Sequence, residues 1–145
     1  MQEVLIDGPI RSAFVAKCLD ELESASHTGA NSFFLGRVRA DHVDGSEVLG
    51  IDYSAYPAMA EKVADEIAKE ARERFEIQKV QIFHSTGLVK VGEVSLLVII
   101  SSAHRKSSFH ALEWAVDELK VRFPAWKKEM LQNGSHRWIG APGSG

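Results

Sequence analysis

VSLLVIISSAHRKSSFHALEWAVDELKVRFP, residues 94–124, decides the fold class. The apolar run Val94–Ile100 reads as a strand and stops at Ser101-Ser102. A helical pattern then runs from about His104 to Phe123. Phe109, Leu112, Val116, Leu119 and Phe123 fall at spacings of 3, 4, 3 and 4 and form the expected buried stripe. Pro124 ends the helix, because proline cannot donate to the hydrogen-bond ladder. The helix opens on His104, Arg105 and Lys106, although a helix N-terminus carries partial positive charge and favours anions.

Working outward, Lys79–Ser85 is a second strand, joined to the first through Thr86–Glu93, a connector with extended character at Leu88, Val89 and Val91. Pro57 opens an earlier helix, with Met59, Val63, Ile67, Ala71 and Phe75 at four-residue spacing, widened by Ala60, Ala64 and Ala68. Val48–Tyr56 alternates as a strand, and Asp44-Gly45 signals a hairpin before it. Ala30–Ala40 is β-rich, Arg11–Glu23 reads as a helix and Glu3–Asp7 as a short strand. After Pro124, Trp126–Met130 reads as a short turn, and the tail GAPGSG from Gly140 reads as mobile. Strands and helices are mixed, with an antiparallel hairpin, so the class is α+β, and residues 1–145 read as a single domain.

Bulk composition agrees. The chain is 45% hydrophobic and 26% charged, ordinary for a globular protein, and a domain of 145 residues buries roughly 70% of its unfolded surface. Cys18 is the single cysteine, which excludes an internal disulfide and fits a reducing compartment; it reads as a buried packing residue. No apolar run is long enough for a membrane span and no signal peptide opens the chain, so a cytoplasmic protein without a membrane partner is expected. Net charge is −3, but residues 1–100 carry −6 and residues 101–145 carry +3. That asymmetry points to an anionic partner for the C-terminal third, and not to a nucleic-acid binder, which is usually basic throughout.

Three stretches could carry chemistry. At the helix start, Arg105 could grip a phosphate in bidentate fashion and His104 could add a donor that titrates near neutrality; the other reading is a solvated basic turn. In LKVRFPAWKKE, residues 119–129, Lys120 follows the buried-type Leu119, and Lys127 and Lys128 follow the Pro124 break. A lysine beside apolar surface has a lowered pKa and can act as base or nucleophile, whereas lysines at a helix C-terminus often only complement its dipole. In GRVRAD, residues 36–41, Arg37 and Arg39 share one strand face by the period of two. His27, His42, His84, His110 and His136 show no metal-ligand spacing, and the nucleotide-binding and hydrolase signatures are absent.

FFLGRVR (33–39), YSAYPAMAEK (53–62), VGEV (91–94), SSAHR (101–105), LK (119–120) and PAWKKE (124–129) occur in an order that resembles the large, catalytic subunit of molybdopterin synthase. The resemblance covers roughly Gly29–Trp138. It implies an α+β fold with an α/β hammerhead-like portion. It implies a sulfurtransferase of molybdenum cofactor biosynthesis that converts cyclic pyranopterin monophosphate to molybdopterin by adding two sulfurs as a dithiolene. The sulfur would arrive as a thiocarboxylate on the C-terminal Gly-Gly of a small ubiquitin-like subunit, in a heterotetramer built on a homodimer of the large one. By the same resemblance Lys120 and Lys127 are catalytic. Arg37, Val38, Arg39, His104, Arg105, Lys128, Glu129 and Arg137 are substrate-binding, with His104 and Arg105 on the phosphate from the neighbouring subunit. No cofactor or metal is implied, because the sulfur is imported. Ser85 departs from the family, where arginine often follows the histidine at 84, and Arg37 stands where lysine is frequent. Two other classes compete with the enzyme reading: a phosphorylated-metabolite binding module, and a scaffold that docks a ubiquitin-like protein.

Overall fold

The computed structural model describes residues 3–139, so the expected mobile tail lies outside the described residues. In chain order the elements are β1 (Leu5–Asp7), α1 (Ser12–Leu22), β2 (Ala30–Arg37), β3 (His42–Val43), β4 (Ser46–Ala55), α2 (Pro57–Arg74), β5 (Lys79–Lys90), β6 (Val94–Ser102), α3 (Arg105–Arg122), β7 (Ala125–Leu131) and β8 (His136–Ile139). The strands form one sheet in the order β2-β6-β5-β4-β7-β8, antiparallel throughout that path, with β1 added parallel to β5 and β3 paired to β4. The fold is α+β, as expected.

The apolar run that opened the reading is buried on both faces. Leu96, Val98 and Ile100 face a core shared with α2 and α3, and Leu97 and Ile99 face a second core under α1. Strand alternation sends successive side chains to opposite faces, so a central strand covered on both sides has no polar face. The β3–β4 hairpin turns through Asp44 and Gly45, both with positive φ (50° and 79°), the geometry that a two-residue hairpin requires.

Three expectations are corrected. The buried stripe of α3 is Ser108, Ala111, Ala115 and Leu119; Phe109 is exposed. Small side chains let α3 lie close to β2 and β6, where the Ser108 and Ser32 hydroxyls share a 2.6 Å hydrogen bond. On α2 the contact falls within the expected stripe, on Ala60, Ala64, Ile67 and Ala71, and only Met59 departs from it by being exposed. Residues 126–130 are no turn but the body of β7, recruited by pairing with β4 from Val48 to Ala55. The connector after Ser85 is continuous strand: β5 pairs with β6 up to His84 and with β4 from Gly87. Arg122 ties α3 to α2 through Glu70 at 2.8 Å and Glu66 at 3.6 Å, and pairs within α3 with Glu118 at 3.2 Å.

Candidate active site

A cleft of about 470 Å³ opens where the end of β2, the middle of β4 and β5, the start of β7 and the last turn of α3 converge. Its polar wall carries Arg37, Arg39, Tyr53, His84, Lys120, Lys127 and Glu129, and Val38, Leu119 and Phe123 supply apolar floor.

The two lysines reach the cleft from different elements. Leu119 is buried in the core, which leaves Lys120 exposed beside it in the last turn of α3. Phe123 closes that helix by donating its N–H to Leu119, and after Pro124 the chain runs directly into β7. On β7 the odd positions face the cleft: Lys127 lies opposite Tyr53 and Glu129 opposite Ile51. Burial, and next the charge of Lys120, hold the Lys127 ammonium below the ordinary lysine range. Lys127 thus shows the effect that the sequence suggests for a lysine beside apolar surface in this stretch. Glu129 is nearly sealed and accepts two hydrogen bonds from Arg137 on β8, at 2.6 and 2.9 Å.

The arginine stretch differs from expectation. β2 ends at Arg37 after an irregularity at Gly36, so Arg37 and Arg39 do not share a strand face. Val38 is buried and pinned to the β5–β6 connection, accepting from Gly92 at 2.9 Å and donating to Glu93 at 3.1 Å. Both arginines are exposed: Arg37 donates to the Gly92 carbonyl at 2.8 Å, and Arg39 meets only Asp41, at 3.4 Å, among the described residues. Both still border the cleft.

Lys128 is not brought in. It has the opposite strand parity, and its ammonium lies 5.6 Å over the ring of Trp138. That face also holds Tyr56 and Trp126 in an edge-on pair. His104 and Arg105 are exposed at the other end of α3. Fifteen helical residues separate Arg105 from Lys120, about 22 Å along the axis. Their turn is fixed by the Ser102 hydroxyl on the His104 carbonyl and by Gly29, where an added Cβ would stand 2.2 Å from the Ala103 oxygen.

Tyr53, His84 and Phe123 join the site without a sequence assignment to it. The His84 ring stacks on Phe123 (4.7 Å, 19°) and meets Tyr53 edge-on (5.0 Å, 80°). Tyr53 donates to Ser95 at 3.2 Å, and burial raises its pKa. Two signals could have found Tyr53: the alternation of β4, and its place at the head of the motif YSAYPAMAEK. Ser85, the family departure, is fully buried and its hydroxyl has no hydrogen-bond partner among the described residues. Among those residues no three His, Cys, Asp or Glu side chains cluster closely enough to hold a metal.

Residues 10–122 match the family model described as MoaE protein. The chain is 42% identical over 118 residues to the molybdopterin synthase catalytic subunit of Pyrococcus abyssi, covering 81% of this chain and 78% of that protein. It is 39% identical over 110 residues to the bovine subunit of that name, covering 76% of this chain and 58% of the longer bovine protein. Among solved structures, molybdopterin synthase from Staphylococcus aureus superposes with a TM-score of 0.84 at 29% identity, over 97% of this chain and 98% of that one. A complex of subunits 1 and 2 of molybdopterin-converting factor from Helicobacter pylori shares the fold, with a TM-score of 0.77 at 23% identity over 94% of this chain and 88% of that one.

Proposed function

The chain belongs to the MoaE protein family, and from that premise we propose that it is the catalytic subunit of a molybdopterin synthase. It transfers sulfur from the C-terminal thiocarboxylate of a small ubiquitin-like subunit to cyclic pyranopterin monophosphate, forming the dithiolene of molybdopterin. The observation that carries this reading is the convergence of Lys120 and Lys127 on one cleft with Arg37 and Arg39 at its rim.

Substrate and sulfur donor are both anions. A cationic cleft brings them together against their mutual repulsion and stabilises negative charge that develops on oxygen or sulfur during acyl transfer. Lys120, exposed at the mouth, receives the thiocarboxylate. Lys127, with its pKa lowered by burial, exchanges protons more readily near neutral pH than an ordinary lysine. Glu129 and Arg137 brace the strand that carries it. His104 and Arg105 lie too far along α3 to reach the same substrate within one chain. They serve the phosphate from the neighbouring subunit of a homodimer, which answers why basic residues occupy a helix N-terminus. A cytoplasmic location accords with the single, buried Cys18.

Reconstitution tests this. The protein is mixed with the thiocarboxylated small subunit and cyclic pyranopterin monophosphate, and the pterin is followed by mass spectrometry. Gain of two sulfurs is expected. Lys120→Ala is expected to lower turnover by at least about 100-fold while fold and partner docking persist. Arg105→Ala is expected to weaken pterin binding more than partner binding. Binding of both without sulfur transfer would favour a metabolite-binding module or a scaffold instead.

A further inference from the structure

Glu129 is a carboxylate in a cleft that otherwise suits anions: Arg37, Arg39, Lys120 and Lys127 line it too. The phosphate and the thiocarboxylate of the proposed reaction would both be repelled by it. Yet it is only 5% exposed, and burying a carboxylate is costly unless its oxygens find donors.

An ionised carboxylate accepts about four hydrogen bonds on its two oxygens. Arg137 Nε and Nη2 both donate to Oε1, at 2.9 and 2.6 Å. No hydrogen bond or ion pair among the described residues reaches Oε2. Nor is Oε2 among the sealed unpartnered atoms, so it opens onto the cleft that Glu129 lines. The carboxylate is also held in place. Arg137 stands directly across the β7–β8 ladder, and in the turn between those strands the Asn133 side chain accepts from the Ser135 N–H at 2.9 Å. On the other side Ile51 of β4 lies opposite Glu129 and lines the same cleft. Oε2 is thus a buried, preset acceptor beside an apolar wall. Asp41, the other carboxylate of the cleft, does not match it: its side chain is 51% exposed and meets Arg39 at 3.4 Å.

Such an acceptor takes an N–H or O–H donor that carries no negative charge, and the apolar wall suits a flat ring. On the sulfurtransferase reading the substrate has one such part. The 2-amino-4-oxo pyrimidine ring of a pterin presents an amino N–H and a ring N–H side by side on one edge. We propose that Glu129 reads this edge, with Oε2 accepting from the 2-amino group, and that Arg137 is a positioning residue that holds Oε1 and so turns Oε2 toward the ring. The choice of a pterin rests on the sulfurtransferase reading. The cations then serve the anionic groups and the carboxylate serves the donor edge, so the ring enters in one orientation. A carbonyl in place of the amino group would set two acceptors against each other, a mismatch that a buried hydrogen-bonding site rejects strongly.

A pair of probes tests this. Pterin, and lumazine, which carries a carbonyl in place of the 2-amino group, are titrated separately into the protein and followed by ring fluorescence. Wild type is expected to bind pterin at least about 10-fold more tightly than lumazine. In Glu129→Gln the side-chain oxygen can stay on Arg137 while an amide N–H replaces Oε2, so the preference should vanish or reverse. Arg137→Ala should lose most of the preference, and Arg137→Lys should keep part of it. In the full complex with thiocarboxylated partner, Glu129→Gln is expected to raise the KM for cyclic pyranopterin monophosphate about 10-fold or more, with partner affinity unchanged. An unchanged preference in Glu129→Gln would overturn the proposal. Equal binding of the two rings by wild type, or binding of neither, would overturn it even where the variants fail to fold. Wild-type protein that prefers pterin yet makes no molybdopterin would defeat the sulfurtransferase reading alone, since the preference is read without turnover.

Discussion

Acidification tests the burial of His84 directly. Its folded-state pKa of about 4 lies below the ordinary 6.5, so between those values the unfolded chain binds the extra proton. The stability that this neutral ring contributes is complete above pH 6.5 and is lost as pH falls toward 4, by up to roughly 3 kcal/mol. Urea unfolding at pH 7.5 and 4.5 should show the loss in wild type, and a smaller one in His84→Gln, which has no imidazole to titrate. Equal losses would mean that His84 is not the group responsible. At this scale the sequence was readable only in part. Lys120 and Lys127 stand out because each adjoins an apolar anchor or a proline break. His84 does not, because what matters about it is the ring above, the ring beside and the carbonyl in front. Phe123 and Tyr53 come to it from 39 residues downstream and 31 upstream.

Helix α3 shows how packing distance chooses among faces. Its sequence supports two stripes one position apart, one of large residues through Phe109 and one of small residues through Ser108, Ala111 and Ala115. Hydrophobicity favours the first, but the sheet takes the second, since only small side chains permit the Ser32–Ser108 contact. Ala111→Leu is therefore expected to cost about 1–3 kcal/mol through overpacking, measured by denaturant melting. Phe109→Ser, at an exposed position, should change stability by less than about 0.5 kcal/mol. Similarly, β7 was illegible as a strand. Seven residues that mix lysine, tryptophan and glutamate carry little local preference, and the ladder from β4 supplies the rest. The turn before α3 has its own steric lock: Gly29→Ala should shift the Ala103 carbonyl and, with it, His104, weakening pterin binding without touching the lysine cleft.

Across the whole molecule, the separation of Arg105 from Lys120 makes a statement about assembly. If one subunit supplies the lysines and another the phosphate grip, Lys120→Ala and Arg105→Ala are defective for different reasons. Mixed and allowed to exchange subunits, they should regain up to about a quarter of wild-type turnover, because half the dimers then hold one intact site. No recovery after demonstrated exchange would place both roles in a single chain. The α+β class and its principal strands and helices follow from periodicity and turn chemistry. The strand order and the meeting of β4, β5, β7 and α3 do not, since they depend on which distant segments pair.

Adjacent lysines at 127 and 128 face opposite ways on β7, one to the cleft and one to the tryptophan face. The corner that feeds this strand is only Phe123-Pro124. One residue inserted there, with β7 held to β4, would exchange the parity of every side chain behind it. A different lysine would move to 128 and present its amine to the aromatic face. The residue now at 126, a tryptophan, would occupy the place opposite Tyr53, and the Glu129 carboxylate would leave the cleft together with its cross-strand partner Arg137. Two inserted residues would restore the facing but slide the cation by a full pleat, roughly 7 Å. The length of that corner therefore acts as a ruler: it specifies which amine enters the cleft and how far it stands from its partner on α3.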